Sequence, residues 1–377
     1  MDEEWAMATR ADVARLAGVS PSTVTYVLNG QRSVTARTKA RVKAAMRELN
    51  YVPNAFARGL AGSHRGLLAL HFPTDVHGFT PTEFAYVSAA TDHARKLGYQ
   101  LLLWTNRITD VEELHALLGQ SIVDGVLLME VVAEDPRLEV IRDSGVPFVT
   151  IGRPDDARGI SFVDSDYRAM LRLAVDYLAD LGHRSLVVLG QSTANLERGA
   201  GPTRRITDAV EEPARSRGMA VTPINVEFSS AGGAEAFRRL LLLHPQPTAV
   251  VAYNELAVPG LIGAATAEGF LIPDQLSVLA IGLSVLSAES CTPELTTVTP
   301  PISRIAQRAV EILAGAIRKK SSEQVHELMD PSLTVRASTC EPRSPADPHA
   351  SASAASRSAD MRPNGVEGLR PSGPQCR

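Results

Sequence analysis

The chain has 377 residues, of which 44% are hydrophobic and 21% charged, and its formal net charge at pH 7 is −4. This length holds two or three domains, and the composition is that of an ordinary soluble globular protein. No apolar run is long enough to span a bilayer, and the acidic N-terminus lacks the apolar core of a signal peptide. We therefore expect a cytoplasmic protein. The few, widely spaced cysteines indicate a reducing compartment and no zinc site; they are Cys291, Cys340 and Cys376.

The residues from 8 to 62 have the pattern of a helix-turn-helix followed by a third helix. Val13, Leu16 and Ala17 are predicted to form the apolar face of the first helix. Gly18 follows directly and would allow the chain to turn where a side chain would clash. The spacing therefore predicts two short helices joined by a tight turn.

The second helix is predicted to start after Ser20, a good N-cap, with Pro21 in the first helical position. Its apolar residues recur at helical spacing and would face the first helix; they are Val24, Val27 and Leu28. Its remaining side chains are small or polar and would face outward; they are Pro21, Ser22, Thr25 and Tyr26. A helix with this polar outer face can lie in the major groove of DNA.

The segment Ala-Asp-Val-Ala-Arg-Leu-Ala-Gly-Val-Ser-x-x-Thr-Val-x-x-Val-Leu-Asn-Gly, at 11–30, resembles the DNA-binding head of the LacI/GalR family of bacterial transcription regulators. The resemblance covers about 8–62 and continues more weakly to about residue 340. It implies that Pro21, Ser22, Thr25 and Tyr26 reach base edges, although the family often has Arg or His where Tyr26 stands. It also implies that Thr23, Asn29 and the basic side chains hold phosphates, and that a homodimer binds a pseudo-palindromic operator in double-stranded DNA. The alternative is a small helical bundle with no DNA partner.

The charge distribution favours a DNA-binding head over a helical bundle with no DNA partner. From Ala8 to Arg65 there are ten Lys or Arg and two acidic residues, so this segment carries +8 and the rest of the chain −12. A basic end on an acidic protein is typical of phosphate binding. Solvated helix faces would explain part of the charge on the third helix, predicted from the N-cap Thr35 to Leu49, but not the asymmetry.

A hinge follows the third helix. Pro53 resets the backbone, and the residues from Asn54 to Leu60 can form one short helix, too short to be stable alone in water. The family resemblance implies that two such helices fold on DNA in a dimer and that Leu60 wedges between base pairs in the minor groove. Alternatively, Leu60 is a linker residue that packs on the following domain.

From Gly66 onward, short apolar segments alternate with amphipathic ones. They predict strands at 67–70, 100–104, 125–130, 147–151, 185–189, 249–252 and 277–281, with helices at 83–97, 111–120 and 167–181. This alternation predicts parallel sheets covered on both faces, and the length suits two lobes. The fold class is therefore an all-α helix-turn-helix head with a hinge helix, followed by an α/β domain. The resemblance implies that this domain is of the two-lobed, periplasmic-binding-protein-like type I.

The domain boundaries are predicted as a head at 8–52, a hinge at 53–64 and an effector-binding and dimerisation domain at 65–340. The first lobe would contain about 65–164 and 296–324, and the second about 165–295 and 325–340. The chain would cross between the lobes near Asp164, Leu295 and Val325. The remainder, 341–377, is rich in Pro, Ser, Ala and Arg without periodicity and predicts a disordered tail.

Between two such lobes, side chains from both sides can close on a small molecule. The resemblance implies that a sugar-like or other metabolite binds there, near Phe79 and Phe84 of the first lobe. In the second lobe it implies contacts from Arg205 or Arg204, and from Phe228 and Asn254. Alternatively, Asn254 caps the next helix and Phe228 belongs to the core. Ser284 stands where the family usually has an aspartate, which puts bidentate binding of sugar diols in doubt.

Sequence signatures of catalysis do not stand out. The chain contains no Gly-x-Ser-x-Gly, phosphate loop, His-Glu-x-x-His or dinucleotide-binding glycine pattern. The acid pairs at 155–156 and 211–212 suit solvated surfaces better than acid/base catalysis. We therefore expect neither an enzyme nor a bound cofactor or metal. The rival hypothesis is an α/β enzyme or small-molecule-binding protein of the cytoplasm with no DNA role.

Overall fold

The structure is a computed structural model that describes residues 8–28, 34–51, 65–73, 79–192, 197, 199, 201–319 and 323–342. In the N-terminal head it contains three helices, α1 (Arg10–Ala17), α2 (Pro21–Leu28) and α3 (Ala36–Glu48). Thr9 caps α1 by accepting a hydrogen bond from the Asp12 N–H, and Thr35 caps α3 in the same way. Gly18 ends α1 with φ of 60°, a left-handed conformation that favours glycine.

The three helices enclose a small apolar core formed by Val13, Ala14, Ala17, Val24, Val42 and Ala45. The prediction that Leu16 belongs to the inner face of α1 is wrong, because Leu16 is 45% exposed. Ala14 is buried instead, since α2 and α3 pack on the side of α1 that carries the small residues. Val27 and Leu28 pack at the edge of this core, as their spacing predicts.

Twelve strands in the part of the chain described here form two six-stranded sheets. The first sheet has the order β11-β5-β4-β3-β1-β2, with β1 (Leu67–His71), β2 (Gln100–Trp104), β3 (Gly125–Leu128), β4 (Phe148–Ile151), β5 (Phe162–Ser165) and β11 (His326–Met329). The second has the order β12-β10-β9-β8-β6-β7, with β6 (Ser185–Gly190), β7 (Ala220–Asn225), β8 (Ala249–Ala252), β9 (Ser277–Ile281), β10 (Thr296–Thr299) and β12 (Ser332–Thr334). All pairings are parallel except that of β12 with β10. The predicted two-lobed α/β fold is confirmed.

Helices cover both faces of each sheet. The first lobe consists of the first sheet with α4 (Pro81–Lys96) and α13 (Ile302–Lys319) on one face and α5 (Val111–Gly119) and α6 (Pro136–Ser144) on the other. The second lobe has α7 (Tyr167–Asp180), α8 (Gly201–Ala209) and α9 (Glu211–Ser216) on one face of its sheet. Its other face carries α10 (Ser230–Leu241), α11 (Val258–Ala267) and α12 (Val285–Glu289).

The chain passes between the lobes after β5, after β10 and after β11. The first passage lies near Asp164, but the second and third come later than the positions predicted at Leu295 and Val325. They come later because β10 pairs with β9 in the second sheet and β11 pairs with β5 in the first. The prolines at 300–301 and 331 mark these passages.

Within the described residues, no helix is both long and apolar enough to cross a bilayer. The hinge predicted at 53–64 lies outside the described residues, as does the predicted tail from residue 343 onward.

Candidate DNA-binding surface and interlobe cleft

The N-terminal turn of α2 presents a group of hydroxyls. Ser20 accepts a hydrogen bond from the Thr23 N–H at 3.2 Å, and its oxygen lies 2.8 Å from that of Ser22 and 2.9 Å from that of Thr23. Pro21 and Ser22 are exposed, and Thr23 is half-buried. The turn therefore offers polar groups on a rigid, capped helix.

The rest of this face is formed by Thr25 and Tyr26. The Thr25 hydroxyl donates to the Pro21 carbonyl at 3.1 Å and accepts from Arg10 Nη1 at 3.2 Å, while Tyr26 is 44% exposed. The residues predicted to contact bases thus lie together on the outward side of α2. Asn29 and Leu60 lie outside the described residues, so their placement stays a prediction.

The basic side chains of the head have different roles. Arg41 Nη2 donates to the Ala17 carbonyl and, at 3.0 Å, to the Gly18 carbonyl, so this guanidinium stabilises the turn after α1. Arg15 forms an ion pair with Asp12. The exposed cations of α3 that remain for phosphates are Arg37, Lys43 and Arg47.

The interlobe cavity is a small space of about 80 Å³ between the two lobes. It lies where strands of both sheets end, which is the usual ligand position in open parallel sheets. Helices α4 and α13 of the first lobe, and α7 and α8 of the second, also reach it. Its polar lining consists mainly of three tyrosines and three acids, which are Tyr86, Tyr167, Tyr253, Glu83, Glu130 and Asp164.

Direct contacts bridge the lobes around this cavity. The Ser284 N–H donates to the Thr82 hydroxyl at 2.8 Å, and Arg204 Nη1 pairs with Asp155 at 2.9 Å. Arg205 Nη2 donates to the Arg153 carbonyl. The structure therefore describes the lobes in a closed arrangement.

Asp164 lies at the wall of the cavity with a buried carboxylate, 3% exposed. Its Oδ1 accepts from the Ser165 N–H at 2.8 Å, and its Oδ2 lies 3.6 Å from Arg153 Nε and 3.7 Å from Arg205 Nη1. Burial raises the pKa of Asp164, although the two arginines oppose this shift. Both Asp164 Oδ2 and Arg205 Nη1 lack a hydrogen-bond partner in the described part of the chain.

The tyrosines form aromatic walls. The rings of Tyr167 and Tyr253 meet edge to face, with centroids 6.4 Å apart and planes at 88°. Burial raises the pKa of Tyr86, Tyr167 and Tyr253, so their hydroxyls remain protonated. Such walls can cover an apolar or cationic group and donate hydrogen bonds.

The effector residues predicted from the resemblance do not line this cavity, among the residues that the structure describes. Of these residues, Arg205 is connected to the cavity most directly, because it forms an ion pair with the lining residue Asp164. Arg204 is half-exposed and belongs to the bridge with Asp155, and Ser284 caps α12.

Asn254 is fully buried, and backbone groups occupy both ends of its amide. Its Nδ2 donates to the Gly190 and Glu227 carbonyls at 3.2 Å and to that of Val226 at 3.3 Å, and its Oδ1 accepts from the Ala257 N–H at 3.2 Å. In this closed structure backbone groups therefore occupy the Asn254 amide, in keeping with the alternative that it caps the next helix. Its contact with an effector stays a prediction.

The three predicted aromatic contacts also lie away from the cavity wall. Phe79 is 41% exposed and stacks on Phe72 with ring centroids 4.5 Å apart. Phe84 is 63% exposed on α4, and Phe228 is half-buried after β7. These positions leave their contact with a ligand a prediction.

Sequence reasoning missed the residues that do line the cavity. Glu130 and Tyr253 follow β3 and β8 closely, and Asp164 lies near the end of β5. The rule that ligands bind at the carboxyl ends of parallel strands could have found them. Tyr86 and Tyr167 lie on helices, where nothing in the local pattern separates them from core residues.

A basic helix-turn-helix head followed by a two-lobed α/β body with an interlobe cavity is the arrangement of a ligand-responsive DNA-binding regulator. Residues 9–54 match the family described as Bacterial regulatory proteins, lacI family, and residues 175–339 match the Periplasmic binding protein-like domain. The chain belongs to the lacI family of bacterial regulatory proteins, and it is a DNA-binding transcription regulator.

Curated relatives support this assignment over nearly their whole length. The chain is 32% identical over 352 residues to the HTH-type transcriptional repressor PurR of Yersinia pestis, covering 89% of this chain and 98% of that protein. It is 30% identical over 343 residues to the repressor PurR of Vibrio parahaemolyticus, covering 88% and 98% respectively.

Solved structures share the fold. The transcriptional regulator CelR in complex with cellobiose is 27% identical with a TM-score of 0.64, over 88% of this chain and 99% of that one. The lac repressor dimer bound to operator and the anti-inducer ONPF is 24% identical with a TM-score of 0.75, over the same shares of the two chains. Within the described ranges, no group of three or more His, Cys, Asp or Glu side chains could hold a metal ion.

Proposed function

We propose that this protein is a homodimeric transcriptional repressor whose affinity for an operator is controlled by a small molecule bound between its lobes. The observation that carries the proposal is the outward face of α2, which is exposed and polar on a head segment of charge +8. The curated relatives named above are transcriptional repressors. The protein would act in the bacterial cytoplasm on nucleoid DNA, without catalysis.

In this proposal α2 lies in the major groove. Pro21, Ser22, Thr25 and Tyr26 contact base edges, and Thr23, Asn29 and the exposed cations of α3 hold phosphates. Tyr26 offers one hydroxyl and an aromatic face, so it cannot read guanine with the bidentate pattern of an arginine. The operator therefore differs from that of a relative with arginine at this position.

The interlobe cavity supplies the control. Closing the lobes brings together the pairs Thr82–Ser284 and Arg204–Asp155, so a ligand that binds only one arrangement shifts the population toward it. Movement of the lobes would change the dimer interface and the spacing of the two heads. The coupling is reciprocal, because a ligand that favours operator binding must itself bind more tightly to the operator complex.

The test is a selection of bound duplexes from a random pool with the purified full-length protein. We expect enrichment of a pseudo-palindromic site with half-sites that mirror the dimer axis. The substitution Tyr26→Ala should change or weaken the preferred sequence, whereas Leu242→Ala, at a residue 76% exposed on the second lobe, should not. If the sequences in the pool remain random after repeated rounds of selection, the proposal is contradicted.

A second variant tests the hinge. If Leu60 wedges between base pairs, Leu60→Ala weakens binding to the selected duplex far more than binding to random DNA. Equal weakening of both would remove this role. Contacts to phosphates require the affinity for random duplex to fall steeply as the salt concentration rises. An affinity that does not change with salt would favour the rival hypothesis of a protein with no DNA role.

A further inference from the structure

Glu130 has an unusual backbone at the wall of the interlobe cavity. It follows β3 with φ of 52°, a left-handed conformation that is uncommon for residues other than glycine. It lines the cavity together with Tyr86 and Tyr253, and its negative charge acts on both of these tyrosines. Among the described residues, the hydrogen bond that Glu130 forms is that of its backbone carbonyl, and no hydrogen bond or ion pair engages its carboxylate. Strained backbone of this kind is concentrated at ligand-binding positions.

A buried guanidinium holds this conformation. Arg137 of α6 is fully buried, and its Nη2 donates to the Met129 carbonyl at 3.1 Å and to the Glu130 carbonyl at 2.9 Å. Asp135 pairs with the same guanidinium at 2.6 Å, and His71 Nδ1 lies 3.0 Å from its Nη1. The network fixes the chain at the end of β3, so the position of Glu130 is built into the first lobe.

The charge around the cavity has one sign. Its lining as described contains Glu83, Glu130 and Asp164 but no Lys, Arg or His. The Glu83 carboxylate receives the Thr80 N–H at 2.7 Å, and Asp164 faces two arginines outside the lining. Within the described ranges, Glu130 is therefore the lining acid whose carboxylate neither a hydrogen-bond donor nor a cation engages.

The remaining lining suits a cation with an apolar body. The perpendicular rings of Tyr167 and Tyr253 offer electron-rich faces, and Met129 and Met170 add polarisable apolar surface. The volume of about 80 Å³ is small beside the roughly 300–1,000 Å³ of pockets for drug-sized ligands. The space admits a ligand of few atoms.

We propose that the effector is a small organic amine, bound in its protonated form with the ammonium group against Glu130. Asp164 Oδ2, which lacks a hydrogen-bond partner among the residues described, accepts a second N–H, and the tyrosines enclose the alkyl part. Anions are repelled by the same acids, and neutral molecules leave the Glu130 charge unpaired. Arg137 acts as a positioning residue. This inference rests on the interlobe effector site of the proposed function.

The experiment is calorimetric titration of the full-length protein with three probes of matched shape, n-butylamine, butan-1-ol and butyrate. We expect butylamine to bind at least about tenfold more tightly than the other two. Glu130→Gln should weaken butylamine binding by about tenfold or more, because the substitution removes the charge at nearly constant shape. The control Glu134→Gln, at an exposed acid four positions along the chain, should leave it unchanged.

The proposal is overturned if butylamine does not bind, if butan-1-ol or butyrate binds as tightly, or if Glu130→Gln retains full affinity for the amine. Should Glu130→Gln fail to fold, Glu130→Asp and the three probes on the unchanged protein decide the question. Duplex selection separates the two proposals. If the protein selects an operator but prefers a neutral or anionic probe, only the proposal of an amine effector is contradicted. If it selects no DNA sequence, the proposed repressor function is contradicted.

Discussion

Lowering the pH from about 7 to about 5 should weaken the first lobe through His71 alone by a measurable amount. His71 ends β1, is fully buried, and lies 3.0 Å from Arg137 Nη1 through its Nδ1. Burial, and secondly the charge of Arg137, lower the pKa of His71 from its ordinary value of 6.5 to about 3. Protonation would remove the acceptor for Arg137 and place two cations side by side.

The direction of the change in unfolding free energy follows from the number of protons that each state binds. Between pH 6.5 and about 3 the unfolded chain binds a proton at His71 and the folded chain does not, so stability falls as the pH falls. A group titrating at 6.5 in the unfolded state and near 3 in the folded state loses about 2 kcal/mol between pH 7 and pH 5. The loss reaches its full size only below pH 3.

The assay is urea unfolding at the two pH values, followed by the fluorescence of Trp104. This residue is 6% exposed and pairs in register with His71 across β1 and β2, so it reports on the first lobe. Trp5, the other tryptophan of the chain, is replaced by phenylalanine in every sample.

His71→Gln keeps an acceptor but cannot titrate, so its unfolding free energy should change with pH by about 2 kcal/mol less than that of the parent. The same pH dependence in both proteins would show that His71 does not resist protonation in the folded state.

Two further predictions concern the second lobe and the lobe contacts. Gly260→Ala places a Cβ 1.8 Å from the Ser230 carbonyl oxygen and should cost about 3 kcal/mol of unfolding free energy, whereas Gly263→Ala on the same helix meets nothing within 4 Å and should stabilise by up to about 1 kcal/mol. Urea unfolding of both variants checks this, and equal effects would contradict the close approach of α10 and α11. Asp155→Asn removes the half-exposed ion pair with Arg204 and should favour lobe opening by at most about 1 kcal/mol. Hydrogen exchange around the cavity measures the opening, and a larger effect would mean that this pair alone holds the lobes closed.

Much of the head could be predicted because its signals are local. The N-cap Ser20, the turn at Gly18 and the spacing of Val24 each act within a few residues, and the structure confirms them. The prediction for Leu16 was wrong because two different faces of α1 fit the same helical period. The choice between them depends on where α3 packs, which the local sequence does not contain.

The sheets followed from alternation of strands and helices, but the lobe crossings did not. The strands β10 and β11 are only four residues each, and their sheet depends on partners far away in the chain. The candidate site shows the same limit. Asn254 lies after a strand as expected, yet its amide is occupied by carbonyls at the end of β6 and in the loop after β7. Glu130 was missed because the buried guanidinium of Arg137 fixes its backbone, and nothing in the sequence distinguishes this arginine from one on the surface.

Recognition of a particular DNA sequence by the basic head underlies every function proposed for this protein. The most direct measurement is the affinity of the full-length protein for its selected duplex and for a scrambled duplex of equal length, at several salt concentrations. We expect the selected duplex to bind at least about 10³-fold more tightly and both affinities to fall steeply with salt. Equal affinity for the two duplexes at every salt concentration would contradict it.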